Sequence, residues 1–197
     1  DSSGYGKIIA TRGTSRWQAS EGPEVIYRDG YYYLFLAYGS LSVEYNTRVC
    51  RSRNIDGPYV DIHGNSAMGS AQLYPILTAP YRFDNSYGWV GISHCGIFDD
   101  GAGNWFYTSQ GRFPVNVGGN EYSNAIMMGH VRSIRWDANG WPLVMPERYG
   151  AVPQAPITEN EIAGDWEHLA LTNNTGTQRT SETMTYDLDT HKITSGS

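Results

Sequence analysis

Cysteine is scarce in this 197-residue chain, with Cys50 and Cys95 the only two. They lack CxxC spacing, and two thiols in a chain of this size do not make a disulfide framework. Both read as core residues, with a disulfide as the minor alternative. Positive charge is short as well: 14 Lys and Arg stand against 20 Asp and Glu, for a formal charge of −6, and no basic cluster occurs. That opposes nucleic-acid binding, where clustered cations must neutralise phosphates, and a neutral ligand fits better. Long hydrophobic runs are missing; the longest aromatic-aliphatic stretch, residues 31–38, is much too short for a bilayer-spanning helix, so no membrane partner is expected. Nothing resembles the charged and apolar regions of a signal peptide. The chain begins at Asp1 rather than Met, so either a leader has been removed or the true N-terminus lies elsewhere. Apolar residues at helical spacing are also absent over any long stretch.

What is present is aromatic and glycine-rich: 15 Tyr, 6 Trp and 5 Phe against 23 Gly, the composition of aromatic strands separated by glycine turns. The predicted class is all-β. Around Asp29-Gly30, two runs rich in β-branched and aromatic residues, 24–28 and 31–38, form a hairpin. Residues 45–52 alternate like a half-buried strand, and 54–61 supply a turn and a fourth strand; residues 7–10 are a further short strand, and Trp17 is a packing residue. After a loop-like stretch over 63–88 the pattern returns, with strands at 90–98, 105–110, 127–136 and 141–144 joined by turns at Asp99-Asp100-Gly101 and Asp137-Ala138-Asn139-Gly140. Arg48-Val49-Cys50-Arg51-Ser52 matches His130-Val131-Arg132-Ser133-Ile134, and each is followed by a Gly-led turn. Two four-stranded units read as two blades of a β-propeller, and two blades cannot close a ring without more chain. A two-sheet sandwich of the same strands is the alternative.

Beyond Pro146 the character changes. Pro153 and Pro156 mark a linker, Thr158-Glu159-Asn160-Glu161 has capping-box spacing, and strands at 166–172 and 182–188 follow. The expected division is residues 1–150, the C-terminal portion of a propeller, and 151–197, a linker and the start of an accessory all-β domain.

Glu21 in Glu21-Gly22-Pro23 opens the first hairpin. Gly22 keeps bulk away from the carboxyl, and Pro23 biases Gly22 toward an extended backbone. By residue type alone such a Glu is ordinarily a solvated loop residue. The remaining histidines, His63, His130, His168 and His191, lack ligand spacing.

Ser20-Glu21-Gly22-Pro23, Tyr31-Tyr32-Tyr33-Leu34-Phe35, Tyr45-Asn46-Thr47-Arg48-Val49, Ile55-Asp56-Gly57-Pro58-Tyr59, Ser93-His94-Cys95-Gly96 and Ile134-Arg135-Trp136-Asp137-Ala138-Asn139-Gly140-Trp141-Pro142, in this order and spacing, resemble the C-terminal half of the endo-α-1,5-L-arabinanases of glycoside hydrolase family 43. The resemblance runs from about Trp17 to Val144 and implies about two blades of a five-bladed propeller. It further implies a secreted or periplasmic hydrolase that inverts configuration on arabinan or arabino-oligosaccharides. Glu21 matches the family's general acid. His94 matches a channel histidine that holds a calcium ion, largely through waters, although Ser93-His94-Cys95-Gly96 stands where Gly-His-Asn-Ser is usual. Tyr45 and Asn46 match a stretch close to the substrate. An inverting glycosidase also needs an ionised base about 6.5–9.5 Å from the acid. That base and a second aspartate match nothing in this sequence, so the resemblance implies a missing N-terminal half, on the same precursor or a second chain. Alternatives are an exo-acting arabinofuranosidase or xylosidase of the same fold, and a non-catalytic carbohydrate-binding propeller fragment. Trp17, Tyr38, Trp89 and Trp105 are further stacking candidates, and Arg112 either faces the channel or forms a surface ion pair.

Overall fold

The computed structural model describes residues 4, 6–12, 20–69, 75–114, 127–152 and 155–195; Trp17 and Pro153 lie outside them. Two sheets carry most of the strand residues, and in both the hydrogen-bonded order follows the chain order. The first is built from β1 (Glu21–Arg28), β2 (Tyr31–Tyr38) and β3 (Asn46–Ser52). The second contains β5 (Val90–Asp99), β6 (Trp105–Arg112), β7 (Met128–Trp136) and β8 (Pro142–Val144). Between them lies the two-residue β4 (Tyr81–Arg82). All pairs within the two sheets are antiparallel, which is the up-and-down arrangement of propeller blades.

The hairpin joining β1 to β2 turns at Asp29 and Gly30, both at positive φ (48° and 81°), which gives the turn a backbone twist that suits the flanking strands. β2 is buried on both faces. Tyr33 and Phe35 point into one core with Ile92, Cys95, Ile97, Tyr107 and Ile134, while Leu34, Leu36 and Tyr38 point into another with Cys50, Tyr59 and Ala67. Side chains alternate across a strand, so a strand with two covered faces reads as an unbroken apolar run, and this is what residues 31–38 are. The first core joins the two sheets. Tyr33 Oη donates to the carbonyl of Gly140, and Arg51 donates to the carbonyl of Asn139 at 2.7 Å while its guanidinium lies 4.1 Å from the Trp141 ring centroid. Burying each of these large side chains contributes about 1.5–3 kcal/mol. Cys50 and Cys95 are buried free thiols, pushed up to about 12 by desolvation.

Three expected strands differ. Residues 7–10 have no strand geometry, and the fourth strand of the first unit shrinks to the single residue Val60, which exchanges both backbone hydrogen bonds with Arg51 and also bridges Ser66. The reason is local: Pro58 has no N–H to give, and Asp61 already folds the next loop by accepting from the backbone of His63 and Asn65. The strand expected at 166–172 is instead β9 (Gly164–His168), which pairs with β11 (Glu182–Asp187), itself paired to β12 (Lys192–Ser195). The short helix α1 (Glu159–Ile162) precedes this sheet, with the Thr158 N–H donating to the Glu161 carboxylate. Residues 179–180, β10, lie parallel to β4, joining the C-terminal region to the second-sheet region. That ladder falls inside the stretch expected to be loop.

Candidate active site

Glu21 and His94 sit on the first strands of successive sheets, each at a β-bulge. In β1, Glu21 pairs with Ala37 and Glu24 with Phe35, so Gly22 and Pro23 together oppose Leu36. Gly22 is therefore not extended, as Pro23 led us to expect, but left-handed at φ 57°. A bulge of this kind needs a residue that tolerates positive φ, and glycine does so at no steric cost. In β5, Ser93 pairs with Gln110 and Gly96 with Thr108, so His94 and Cys95 oppose Ser109. His94 takes φ 61°, unfavourable for a residue with a Cβ, and a bulge next to a site is a known way of re-aiming one side chain. Both re-aimed side chains remain open, at 52% exposure for Glu21 and 57% for His94.

Tyr45 joins them. Its Oη donates to Glu21 Oε1 and lies 3.1 Å from His94 Nδ1, while His94 Nδ1 and Glu21 Oε1 are 3.8 Å apart. The tyrosine is only 1% exposed, and burial first, then its bond to Glu21, hold its pKa well above the usual phenol value. It stays a proton donor. Of the four residues singled out from the sequence, the structure thus brings Glu21, His94 and Tyr45 together. Asn46 is buried beside them with its amide engaged elsewhere: Nδ2 donates to the carbonyls of Tyr38 and Glu44, and Oδ1 accepts from Arg48.

Behind the trio lies a buried hydroxyl network that sequence reasoning missed. Thr47 Oγ1 is 2.9 Å from Ser93 Oγ and 2.7 Å from Tyr107 Oη, and Thr78 Oγ1 donates to the Ile92 carbonyl at 2.6 Å. It ties β3, which follows Tyr45, to β5, which carries His94, and to β6. Strand alternation could have flagged Thr47 and Ser93 as inward polar positions.

Other candidates fall away from this centre. Tyr38 is a core residue, and Trp105 and Trp89 pack edge-on against Trp136 and His130. Arg112 is buried at the end of β6. The aspartates at turns are committed to them: Asp29 pairs with Arg28, Asp99, Asp100 and Asp137 accept from their own turn amides, and Asp61 accepts from its loop.

No set of three His, Cys, Asp or Glu side chains comes together as a metal site among the described residues. Calcium takes six to eight oxygen ligands, and His94 offers one nitrogen, Nε2, with Nδ1 turned to Tyr45. These residues do not make a calcium site by themselves.

Known proteins resemble this chain in sequence and in fold. The sequence pattern of the Glycosyl hydrolases family 43 matches residues 2–142. The extracellular endo-α-(1→5)-L-arabinanase 2 of Bacillus subtilis strain 168 is 30% identical over 186 residues, covering 83% of this chain and 38% of that protein. The corresponding extracellular enzyme of Thermotoga petrophila is 30% identical over 185 residues, covering 84% and 37%. Among solved structures, the family 43 glycoside hydrolase YxiA of Bacillus licheniformis superposes with a TM-score of 0.82 at 28% identity, over 98% of this chain and 46% of that one. The chain spans less than half the length of the relatives it matches.

Proposed function

Because this chain belongs to family 43 of the glycosyl hydrolases, we propose that it forms the acid-bearing part of a five-bladed propeller that hydrolyses α-1,5-linked L-arabinan with inversion. The observation that carries the reading is the trio itself: an open carboxylate on a first strand, engaged on one oxygen by a buried phenol and standing beside a histidine aimed by its own bulge. A carboxylic acid so placed can protonate a leaving glycosidic oxygen while a second carboxylate activates water on the opposite sugar face. The turn aspartates of this chain are committed locally, which supports a base supplied by the remaining blades, on the same precursor or a second chain. Residues 1–150 are then propeller, and 151–197 open an accessory β-domain. The homologues named extracellular make a secreted or periplasmic enzyme the natural reading.

In the same reading His94 would help to hold a calcium ion, largely through waters. Its oxygen ligands would be water and groups of the remaining blades, and the ion would supply positive charge at the sugar-binding end. Tyr45 and Asn46 belong to the stretch close to the substrate, Tyr45 as backing for the acid and Asn46 as a buried residue whose amide holds the local backbone.

The test is digestion of linear arabinan by the assembled enzyme. Release of short oligosaccharides with inverted anomeric configuration is expected, and Glu21→Ala abolishes hydrolysis while arabinan binding persists. Retained turnover in Glu21→Ala overturns the assignment. Release of arabinose alone makes the enzyme exo-acting, and unchanged arabinan with measurable binding makes the protein a carbohydrate-binding module.

A further inference from the structure

Tyr45 is enclosed too completely to offer a sugar much surface, yet its hydroxyl touches both Glu21 and His94. A phenol has a single proton to give. Oη donates it to Glu21 Oε1, so in the 3.1 Å contact with His94 the tyrosine oxygen must accept and Nδ1 must carry the hydrogen. On a neutral imidazole this leaves Nε2 bare.

We propose that Tyr45 is a positioning residue that engages Oε1 of Glu21, reserving Oε2 to carry and deliver the catalytic proton, and that fixes His94 in its Nδ1–H tautomer. The inference rests on Glu21 being the general acid. In the step itself the proton on Oε2 passes to the glycosidic oxygen as its bond from the anomeric carbon breaks with the bonding pair staying on the leaving oxygen, while a water oxygen bonds the anomeric carbon from the opposite face and gives its proton to the base of the remaining blades. Glu21 is left as a carboxylate and Tyr45 keeps its own proton. The bond from Tyr45 to Oε1 is then a hydrogen bond to a charged acceptor, about twice as strong as to a neutral one. It therefore stabilises the transition state more than the bound substrate, which is the condition for an effect on kcat.

The neighbouring bulge supports the arrangement. Gly22 places no Cβ where the His94 ring lies, and the ring can turn Nδ1 toward Tyr45 and Nε2 away from it.

Tyr45→Phe in the assembled enzyme tests the proposal because it removes one oxygen and little volume. On arabinan, turnover is expected to fall about thirtyfold, within the contribution general acids make. On the nitrophenyl glycoside of arabinotriose, whose leaving group needs no proton, the fall is less than about threefold. The ratio of the two rates, taken on one preparation, does not depend on how much of the variant is folded. Nitrogen-15 spectra of labelled histidine, with the His94 signal identified by its loss in His94→Gln, are expected to show a protonated Nδ1 in the parent and a mixture of tautomers in Tyr45→Phe. Equal falls on both substrates, or an unchanged tautomer, overturn the positioning role. That failure is distinct from failure of the acid assignment, which is read from Glu21→Ala on arabinan alone.

Discussion

Gly22 and His94 face each other with both backbones in the left-handed region, at φ 57° and 61°, and a Cβ on Gly22 would come within 3.0 Å of the imidazole Cδ2. The acid strand and the histidine strand thus approach closely at this position.

Gly22→Ala is expected to cost about 1–3 kcal/mol through the left-handed backbone alone, and the methyl group also crowds the His94 ring. The urea midpoint should fall and arabinan turnover should fall with it. An unchanged midpoint would show that the bulge relaxes freely.

Thr47→Val removes the hydroxyl that meets Ser93 and Tyr107 in a fully buried setting. Stability is expected to drop by about 1–3 kcal/mol, because buried hydroxyls lose a partner without gaining water. Chemical denaturation measures it, and a change smaller than the error of the midpoint removes the network from the account.

His130 gives a pH dependence outside the site. Burial, then Arg132 and Arg148, push its pKa down to about 4 from 6.5. The unfolded chain therefore binds the extra proton first as pH falls, so this histidine contributes nothing unfavourable above about 6.5 and destabilises the fold progressively between about 6.5 and 4. The slope attributable to it is at most about 1.4 kcal/mol per pH unit. His130→Gln should flatten the stability profile across that window; an unaltered slope assigns the acid sensitivity to other groups.

For calcium, a chelator is expected to lower turnover and added calcium to restore it, while calorimetric binding of the ion weakens in His94→Ala. Identical rates with and without chelator, together with no binding heat, would remove the ion from the centre.

Much of this was legible because the signals are local. Asp29-Gly30, Asp99-Asp100-Gly101 and Asp137-Ala138-Asn139-Gly140 carry their turn chemistry within four residues, and the structure shows the carboxylates of Asp100 and Asp137 accepting from the amides of Ala102 and Asn139. Residues 31–38 read as a strand because both faces are apolar. The bulge at His94 was not legible, since positive φ is uncommon for any residue with a Cβ and the pairing that defines the bulge lies on the neighbouring strand. The strand expected within residues 54–61 shrinks to Val60 because Pro58 has no N–H to give and Asp61 folds the next loop, which β-branched spacing does not register. Glu21 and His94 were found through a family likeness, and Tyr45's bond to both needed coordinates because it joins three separate strands or their flanks.

The parallel pairing of β4 with β10 bears on how this protein comes apart. Arg82 and Thr180 are 98 positions apart in sequence, yet their strands share a ladder, Arg82 Nε donates to Thr180 Oγ1, and Gln178 donates to the carbonyls of Tyr81 and Tyr87. A protease nick anywhere between residues 150 and 160 would sever the covalent link without releasing the tail. The two pieces should travel as one on gel filtration and part only in denaturant, with the severed tail acting as a clasp rather than a trailing end.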